Sequence, residues 1–184
     1  MQRELILHPD FQCPDVTAIE LDVERPTPTT LSLRYLVSGD AGRLRLPPPG
    51  SAARTDGLWR HTCFEAFVRS STGAVYYELN LAPSSAWAAY RFDGYRDGMT
   101  TVAGVRAPEF AMRSIGDAFA VMVTWDLIGA LDLPTDGPWR LGASAVIEDA
   151  DGEMAYWALA HPAGRPDFHH ADCFALELAA TGAA

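Results

Sequence analysis

The sequence predicts an all-β fold: a single-domain antiparallel β-sandwich of the jelly-roll or immunoglobulin-like kind, over residues 1–184. Short runs rich in β-branched and aromatic residues recur along the chain, and clusters of glycine, proline, serine and aspartate separate them. Almost no stretch repeats with helical periodicity. With 184 residues, 48% of them hydrophobic, the chain can bury a core without disulfides or a structural metal.

The clearest element is a central β-hairpin. Side chains alternate in character over residues 62–69, which is typical of a strand with two unlike faces. Residues 71–74, with the sequence STGA, form a four-residue turn, and residues 75–81 return as the second strand. The sequence therefore predicts a β-hairpin at the centre of the fold.

The register of this hairpin follows from the length of its turn. Four turn residues place Phe67 opposite Glu78 and Glu65 opposite Asn80. One face of the hairpin is then apolar, and the other carries two carboxylates and an amide. This second face is either a binding site or a solvated surface.

The remaining elements follow in order along the chain. The other predicted strands cover residues 16–24, 31–37, 43–46, 87–92, 100–106, 109–115, 118–125, 139–148, 154–159 and 173–178. Residues 126–131 predict a one-turn helix with Asp126 as its N-cap. Strands of this length and spacing favour an antiparallel sandwich.

Charge and composition exclude several classes of function. The formal net charge is −10, which disfavours binding to nucleic acid or to an anionic membrane surface. All 14 basic residues are arginines, so no lysine is present for Schiff-base or P-loop chemistry. Three widely separated cysteines predict reduced thiols, and no long apolar run predicts a leader or a membrane span. We therefore expect a cytoplasmic protein.

Polar and aromatic residues around the hairpin form a candidate binding site. Carboxylates and amides bind pairs of sugar hydroxyls, aromatic rings cover the apolar face of a sugar, and arginine binds a ligand carboxylate. The candidate ligand-binding residues are Trp59, Glu65, Tyr76, Glu78, Asn80, Trp87, Tyr90, Arg91 and Arg96. The alternative is structural: the aromatic residues fill the core, and an arginine neutralises a buried pair of glutamates.

Several segments together resemble the bacterial DOMON-like proteins. They are Trp59 and residues 62–67 (TCFEAF), 77–84 (YELNLAPS), 87–90 (WAAY), 92–96 (FDGYR), 156–159 (YWAL), 161–162 (HP) and 166–170 (PDFHH). The resemblance extends over most of the chain. Members of this superfamily are β-sandwiches that include family-nine carbohydrate-binding modules and haem-binding cytochrome domains. The resemblance therefore implies a sandwich fold and, more loosely, a small ligand.

These observations predict a non-catalytic module that binds a small ligand, namely a carbohydrate or glycoconjugate, without a cofactor. Three alternatives stay open. A glycoside hydrolase could use Glu65 and Glu78 as its two carboxylates. A haem-binding domain could use a methionine with one of the five histidines. A protein-binding scaffold could use the acidic surface.

Two acidic segments are candidates for a metal site. Asp167 and His169 lie two residues apart with Asp172 nearby, but this spacing does not supply three ligands on one side. Residues 149–153, with the sequence DADGE, have an alternating spacing that suits calcium and also suits an ordinary turn. The turn is favoured, and no metal site is predicted.

Overall fold

Antiparallel strands make up almost all of the regular structure. The computed structural model describes residues 1–129 and 132–181. Within these ranges the strands are β1 (Gln2–Leu7), β2 (Val16–Thr27), β3 (Thr30–Gly39), β4 (Cys63–Ser70), β5 (Tyr76–Leu81), β6 (Trp87–Phe92), β7 (Thr100–Thr101), β8 (Glu109–Ile115), β9 (Ala118–Asp126), β10 (Trp139–Glu148), β11 (Met154–Ala158) and β12 (Leu176–Leu178). Three short 3-10 turns, Ala41–Arg43, Leu58–Arg60 and Ala171–Cys173, complete the regular structure in these ranges.

The strands form one continuous sheet that curls so that its two halves face each other. Their order is β7-β6-β5-β4-β10-β11-β1-β2-β3-β9-β8, with β12 also paired to β10. Strand β1 joins the halves, because its first residues pair with β2 and its last residues pair with β11. The prediction of an all-β antiparallel sandwich is confirmed, with its two layers continuous through β1.

The main hydrophobic core lies between the two halves of the sheet. Leu21 of β2 and Tyr35 of β3 face Phe64 of β4 and Leu79 of β5, and all four are at most 1% exposed. The hydroxyl of Tyr35 donates a hydrogen bond of 2.9 Å to the backbone carbonyl of Glu65. Because that bond crosses the core, it fixes the distance between the two halves at the centre of β4.

The central hairpin has the predicted register. In the pairing of β4 with β5, Glu65 lies opposite Asn80 and Phe67 lies opposite Glu78. The apolar face of the hairpin packs into the main core, as expected. The polar face is not a solvated surface, because all four of these side chains are buried. Segments from elsewhere in the chain cover it.

Three predicted strands are wrong or too long. Residues 43–46 form no strand: the Asp40 carboxylate caps a 3-10 turn at Gly42, and Leu44 makes only an isolated bridge. Strand β7 ends at Thr101, because the following residues include Gly104 with φ +90° and Pro108 before the next strand. The last strand begins at Leu176 because a 3-10 turn occupies the residues before it.

Two further differences concern the first strand, β1, and the segment that follows β9. Strand β1 was not predicted, because only Leu5 of its six side chains is buried and the segment begins with polar residues. Asp126 is the last residue of β9, and its carboxylate accepts a hydrogen bond from the Ile128 amide in the turn that follows. Residues 130–131 of the predicted one-turn helix lie outside the described residues.

No helix in the described ranges is long and apolar enough to span a bilayer.

Candidate functional site

The candidate site lies on the face of strands β6, β5, β4, β10 and β11 that points away from the main core. Alternation along each strand sends every second side chain to this face. A second apolar cluster forms there, with Phe67, Tyr76, Tyr90, Phe92 and Phe174 among its members. Two loops lie over this cluster, residues 93–99 and residues 160–175, and the sheet and loops together enclose a cavity.

The cavity has a volume of about 360 Å³. Glu65 of β4 and Glu78 of β5 form the polar part of its floor, and Trp59 and Arg96 stand at its sides. Its lining residues are Trp59, Glu65, Glu78, Phe92, Arg96, Met99, Val146, Tyr156, Pro166, Phe168 and His169. Polar groups thus converge within an otherwise apolar and aromatic enclosure, which is the usual composition of a small-molecule site.

The two glutamates are almost completely buried, at 3% exposure for Glu65 and 5% for Glu78. Ser144 Oγ donates to Glu65 Oε2 at 3.1 Å, and Asn80 Nδ2 donates to Glu78 Oε1 at 2.6 Å. Burial raises the pKa of Glu65 to about 8, and the charge of Glu78 adds to this rise. Burial likewise raises the pKa of Glu78 to about 7, against the effects of Asn80 and Arg96. The pair therefore retains protons at pH values where exposed carboxyls have lost them.

A chain of hydrogen bonds orients His169 toward Glu78. The Arg96 amide donates to the Tyr76 hydroxyl at 3.1 Å, and that hydroxyl lies 2.8 Å from His169 Nδ1. Burial lowers the pKa of His169 to about 4, so the imidazole is neutral near pH 7. We assign the Tyr76 hydroxyl as the hydrogen-bond donor to Nδ1, so the single ring proton of the neutral imidazole lies on Nε2, 3.7 Å from Glu78 Oε2.

Arg96 ties the two covering loops together. Its Nε and Nη2 donate to Asp167 Oδ1 at 3.1 and 2.8 Å, and the Tyr95 hydroxyl donates to Asp167 Oδ2 at 2.5 Å. Arg96 has φ +53°, a left-handed conformation that costs free energy for a residue with a side chain. Such strain persists where surrounding contacts enforce it, and here they hold a half-exposed guanidinium at the edge of the cavity.

Seven of the nine residues predicted as ligand-binding lie in or directly beside the cavity. Trp59, Glu65, Glu78 and Arg96 line it. Tyr76 and Asn80 support these groups through the hydrogen bonds described above. Tyr90 lies beneath Trp59, with ring centroids 5.9 Å apart in an edge-to-face arrangement, and its hydroxyl donates to Asp56 at 2.6 Å.

The other two predicted residues, Trp87 and Arg91, do not reach the cavity. Trp87 packs into the main core against Trp125, with ring centroids 6.0 Å apart. Arg91 forms an ion pair with Asp93. The predicted set combined residues from both faces of β6, and alternation places residues 87 and 91 on the face opposite to Tyr90.

Several cavity residues were absent from the predicted set. Phe168 and His169 come from the loop that follows β11, and Tyr156 comes from β11 itself. One sequence signal points to them, since they fall in the YWAL and PDFHH segments that carry the resemblance. For His169 itself, the sequence suggests a metal ligand or, as one of the five histidines, a haem ligand.

The two acidic segments considered for a metal have other roles in the structure. Asp149 Oδ1 accepts hydrogen bonds of 2.9 Å from the amides of Asp151 and Glu153, which is turn chemistry. Asp167 forms an ion pair with Arg96. Within residues 1–129 and 132–181, no group of three or more histidine, cysteine, aspartate or glutamate side chains is placed to hold a metal ion.

Comparisons with known proteins show similarity of fold. No protein-family model and no curated protein sequence matches the chain. A crystal structure from Bacteroides uniformis, described as that of a candidate carbohydrate-binding protein, matches with a TM-score of 0.66 at 14% identity, over 94% of this chain and 83% of that one. A family-nine carbohydrate-binding module from Caldicellulosiruptor kristjanssonii, in complex with glucose, matches with a TM-score of 0.45 at 16% identity, over 80% of this chain and 69% of that one. At these identities, the first match shows that the two chains share a fold.

Proposed function

We propose that this protein is a non-catalytic module that binds a carbohydrate in the cavity above Glu65 and Glu78. One observation carries the proposal: two buried carboxyls, a neutral imidazole and a guanidinium face an accessible tryptophan across one enclosure. The shared fold of the candidate carbohydrate-binding protein from Bacteroides uniformis supports it. As part of this proposal we group the chain with the DOMON-like proteins that its sequence resembles, and we expect it to act in the cytoplasm.

The polar groups of the cavity suit sugar hydroxyls. Glu65 Oε2 and Glu78 Oε1 accept protein hydrogen bonds, and within the described residues no hydrogen bond reaches the second oxygen of either carboxyl. Those oxygens can accept from a hydroxyl, or donate to one when the carboxyl is protonated. His169 Nε2 supplies a further donor on the same side of the cavity.

The apolar groups suit the carbon face of a sugar ring. Trp59 is 37% exposed, and contact with Tyr90 holds its ring at the side of the cavity. A rigid aromatic ring presents a large surface at little cost in conformational entropy. The volume of about 360 Å³ falls within the range of small-molecule sites, roughly 300–1,000 Å³.

The buried setting of the glutamate pair suits the binding of hydroxyl groups. A glycosidase uses one protonated and one ionised carboxyl, and their environments separate the two pKa values. Here burial raises the pKa of both Glu65 and Glu78. Glu65 and Glu78 also lie side by side on the adjacent strands β4 and β5, on the same side of the cavity. The pair is therefore suited to holding hydroxyls.

The proposal is tested by thermal shift and calorimetry against a panel of mono- and disaccharides. A ligand at a hundredfold excess over Kd raises the free energy of unfolding by about 2.7 kcal/mol. We expect stabilisation of the wild type by at least one saccharide, and its loss in Glu78→Gln and Trp59→Ala. Glu109→Gln and Ile128→Ala, at exposed positions outside the cavity, serve as matched controls and should bind as the wild type does.

Two results would contradict the proposal. If no saccharide stabilises the folded wild type, the cavity is not a sugar site. If the wild type cleaves a chromogenic glycoside and Glu78→Gln does not, the protein is a hydrolase.

A further inference from the structure

A second cavity, of about 530 Å³, lies beside the first. His169 lines both cavities, so they meet at its ring, and the Tyr76 hydroxyl bonded to that ring faces the second cavity. Arg69, Tyr95 and Phe174 also contribute to the lining of the second cavity. Among the described residues, none that line it is acidic. This contrasts with the two glutamates of the first cavity and with the net charge of −10 for the chain.

Arg69 is the charged residue of this second cavity. It follows Glu65 and Phe67 on the same face of β4, and it is half-buried. Its guanidinium carbon lies 4.5 Å from the centre of the Phe174 ring. Its Nε is buried and makes no hydrogen bond, and within residues 1–129 and 132–181 no carboxylate pairs with the guanidinium. A partly desolvated cation with unused donors is costly unless an anion balances it.

The pairing of β4 with β10 increases this cost. Arg69 lies directly opposite Arg140, and like charges in opposed positions of adjacent strands repel each other. Arg140 has an acidic neighbour, because its Nη2 lies 3.4 Å from Glu177 Oε2. Arg69 therefore carries the uncompensated charge of the two.

The acidic residues nearest to the second cavity are already engaged. Asp167 binds Arg96 and the Tyr95 hydroxyl. Asp172 lies 3.5 Å from His170 Nδ1, and the Asp172 amide donates to that same nitrogen at 3.3 Å. His170, which also lines the second cavity, is thus the partner of Asp172.

We propose that the second cavity is an anion subsite, and that Arg69 binds a carboxylate, sulfate or phosphate group on the carbohydrate. The inference rests on the proposed function and specifies its ligand as an acidic saccharide. A neutral part of the ligand occupies the cavity above Glu65 and Glu78, and its anionic group extends past His169 to Arg69. A guanidinium binds the paired oxygens of such groups through two parallel hydrogen bonds, and Phe174 holds its plane in place.

The experiment uses small anions so that the subsite is tested independently of the sugar cavity. Glucuronate, inorganic sulfate and inorganic phosphate are each titrated into the protein at matched ionic strength, with glucose as the neutral counterpart of glucuronate. The readout is the Nε–H resonance of Arg69 in the NMR spectrum, together with the Kd. We expect at least one anion to shift that resonance, and glucose to leave it unchanged. The anion that binds identifies the source of the charge.

Variants then separate the two cavities. A hydrogen-bonded pair of opposite charges raises affinity by roughly 10- to 100-fold, so Arg69→Gln should weaken anion binding by about tenfold or more. Arg113→Gln makes the same change in net charge at an exposed position on β8 and should have no effect. Glu78→Gln should retain anion binding. As a check on folding, Arg69→Gln should be no less stable than the wild type without anions, because the opposition to Arg140 is relieved.

The possible failures are distinguishable. If none of the three anions shifts the Arg69 resonance, or if Arg69→Gln binds them as the wild type does, the anion subsite is refuted, whatever neutral sugars do. If anions bind through Arg69 and no saccharide binds above Glu78, the subsite stands and the carbohydrate function fails.

Discussion

Replacing Glu65 with glutamine tests the electrostatics of the cavity floor. Glutamine has nearly the same shape and can accept the Ser144 hydrogen bond, but it does not ionise. Because the folded state raises the pKa of Glu65, it holds this proton more tightly than the unfolded chain does. The stabilisation from this group is fully present below the unfolded pKa and is lost as pH rises through the folded pKa.

The size of this effect follows from the shift. The pKa of Glu65 rises from 4.5 to about 8, and each pKa unit corresponds to about 1.4 kcal/mol. The wild type should therefore lose up to about 5 kcal/mol of unfolding free energy through this group between those two pH values. Glu65→Gln does not lose it, so its stability relative to the wild type should increase steadily with pH.

The assay is urea unfolding, followed by tryptophan fluorescence at a series of pH values across this window. His169, whose lowered pKa removes stability as pH falls from 6.5 toward 4, is present in both proteins and cancels in the difference. Glu109→Gln, on the exposed edge strand β8, should follow the wild-type curve. A constant difference between Glu65→Gln and the wild type at all pH values would refute the reasoning.

Three further outcomes are expected around the cavity. Gly142→Ala places a Cβ 2.8 Å from the Cys173 carbonyl oxygen, so urea unfolding should show a loss of about 1–3 kcal/mol in the free energy of unfolding. Gly50→Ala, whose Cβ has its nearest contact at 3.5 Å, is the control and should be neutral; equal stability of the two variants would contradict this reasoning. Tyr76→Phe removes the hydroxyl bonded to His169 and should lower the free energy of unfolding by about 1–3 kcal/mol, whereas an unchanged value would mean that the bond is unimportant. The NMR titration of His169 should have its midpoint near 4, and a midpoint at its ordinary value of 6.5 would show that the ring is solvated.

The sequence was sufficient to predict the part of the site that one hairpin builds. Alternation and a four-residue turn determine which side chains share a face and which lie opposite, so the positions of Glu65, Glu78 and Asn80 were correct. Both depend on residues close together in the chain. The same alternation places Trp87 within β6 on the face opposite to Tyr90, where it packs into the main core and not into the cavity.

The walls of the cavity could not be predicted in the same way, because they depend on contacts between distant residues. Tyr76 and His169 are 93 positions apart, and Arg96 and Asp167 are 71 apart. No local pattern shows that the loop after β11 returns across the face of β5. Gly142 is one physical reason that it can, since the Cys173 carbonyl packs where a side chain would project. The sequence alone therefore does not determine whether the polar face is solvated or covered.

The most direct test of carbohydrate binding at this cavity is the response of the tryptophan indole N–H resonances to a saccharide panel in NMR. The chain has five tryptophans, and two of them report on opposite faces of the sheet: Trp59 lines the cavity, and Trp87 lies in the main core. We expect a bound saccharide to shift the Trp59 resonance and leave Trp87 unchanged. If no saccharide shifts Trp59, or if a saccharide that binds shifts other tryptophans and not Trp59, the cavity above Glu65 and Glu78 is not where this protein binds carbohydrate.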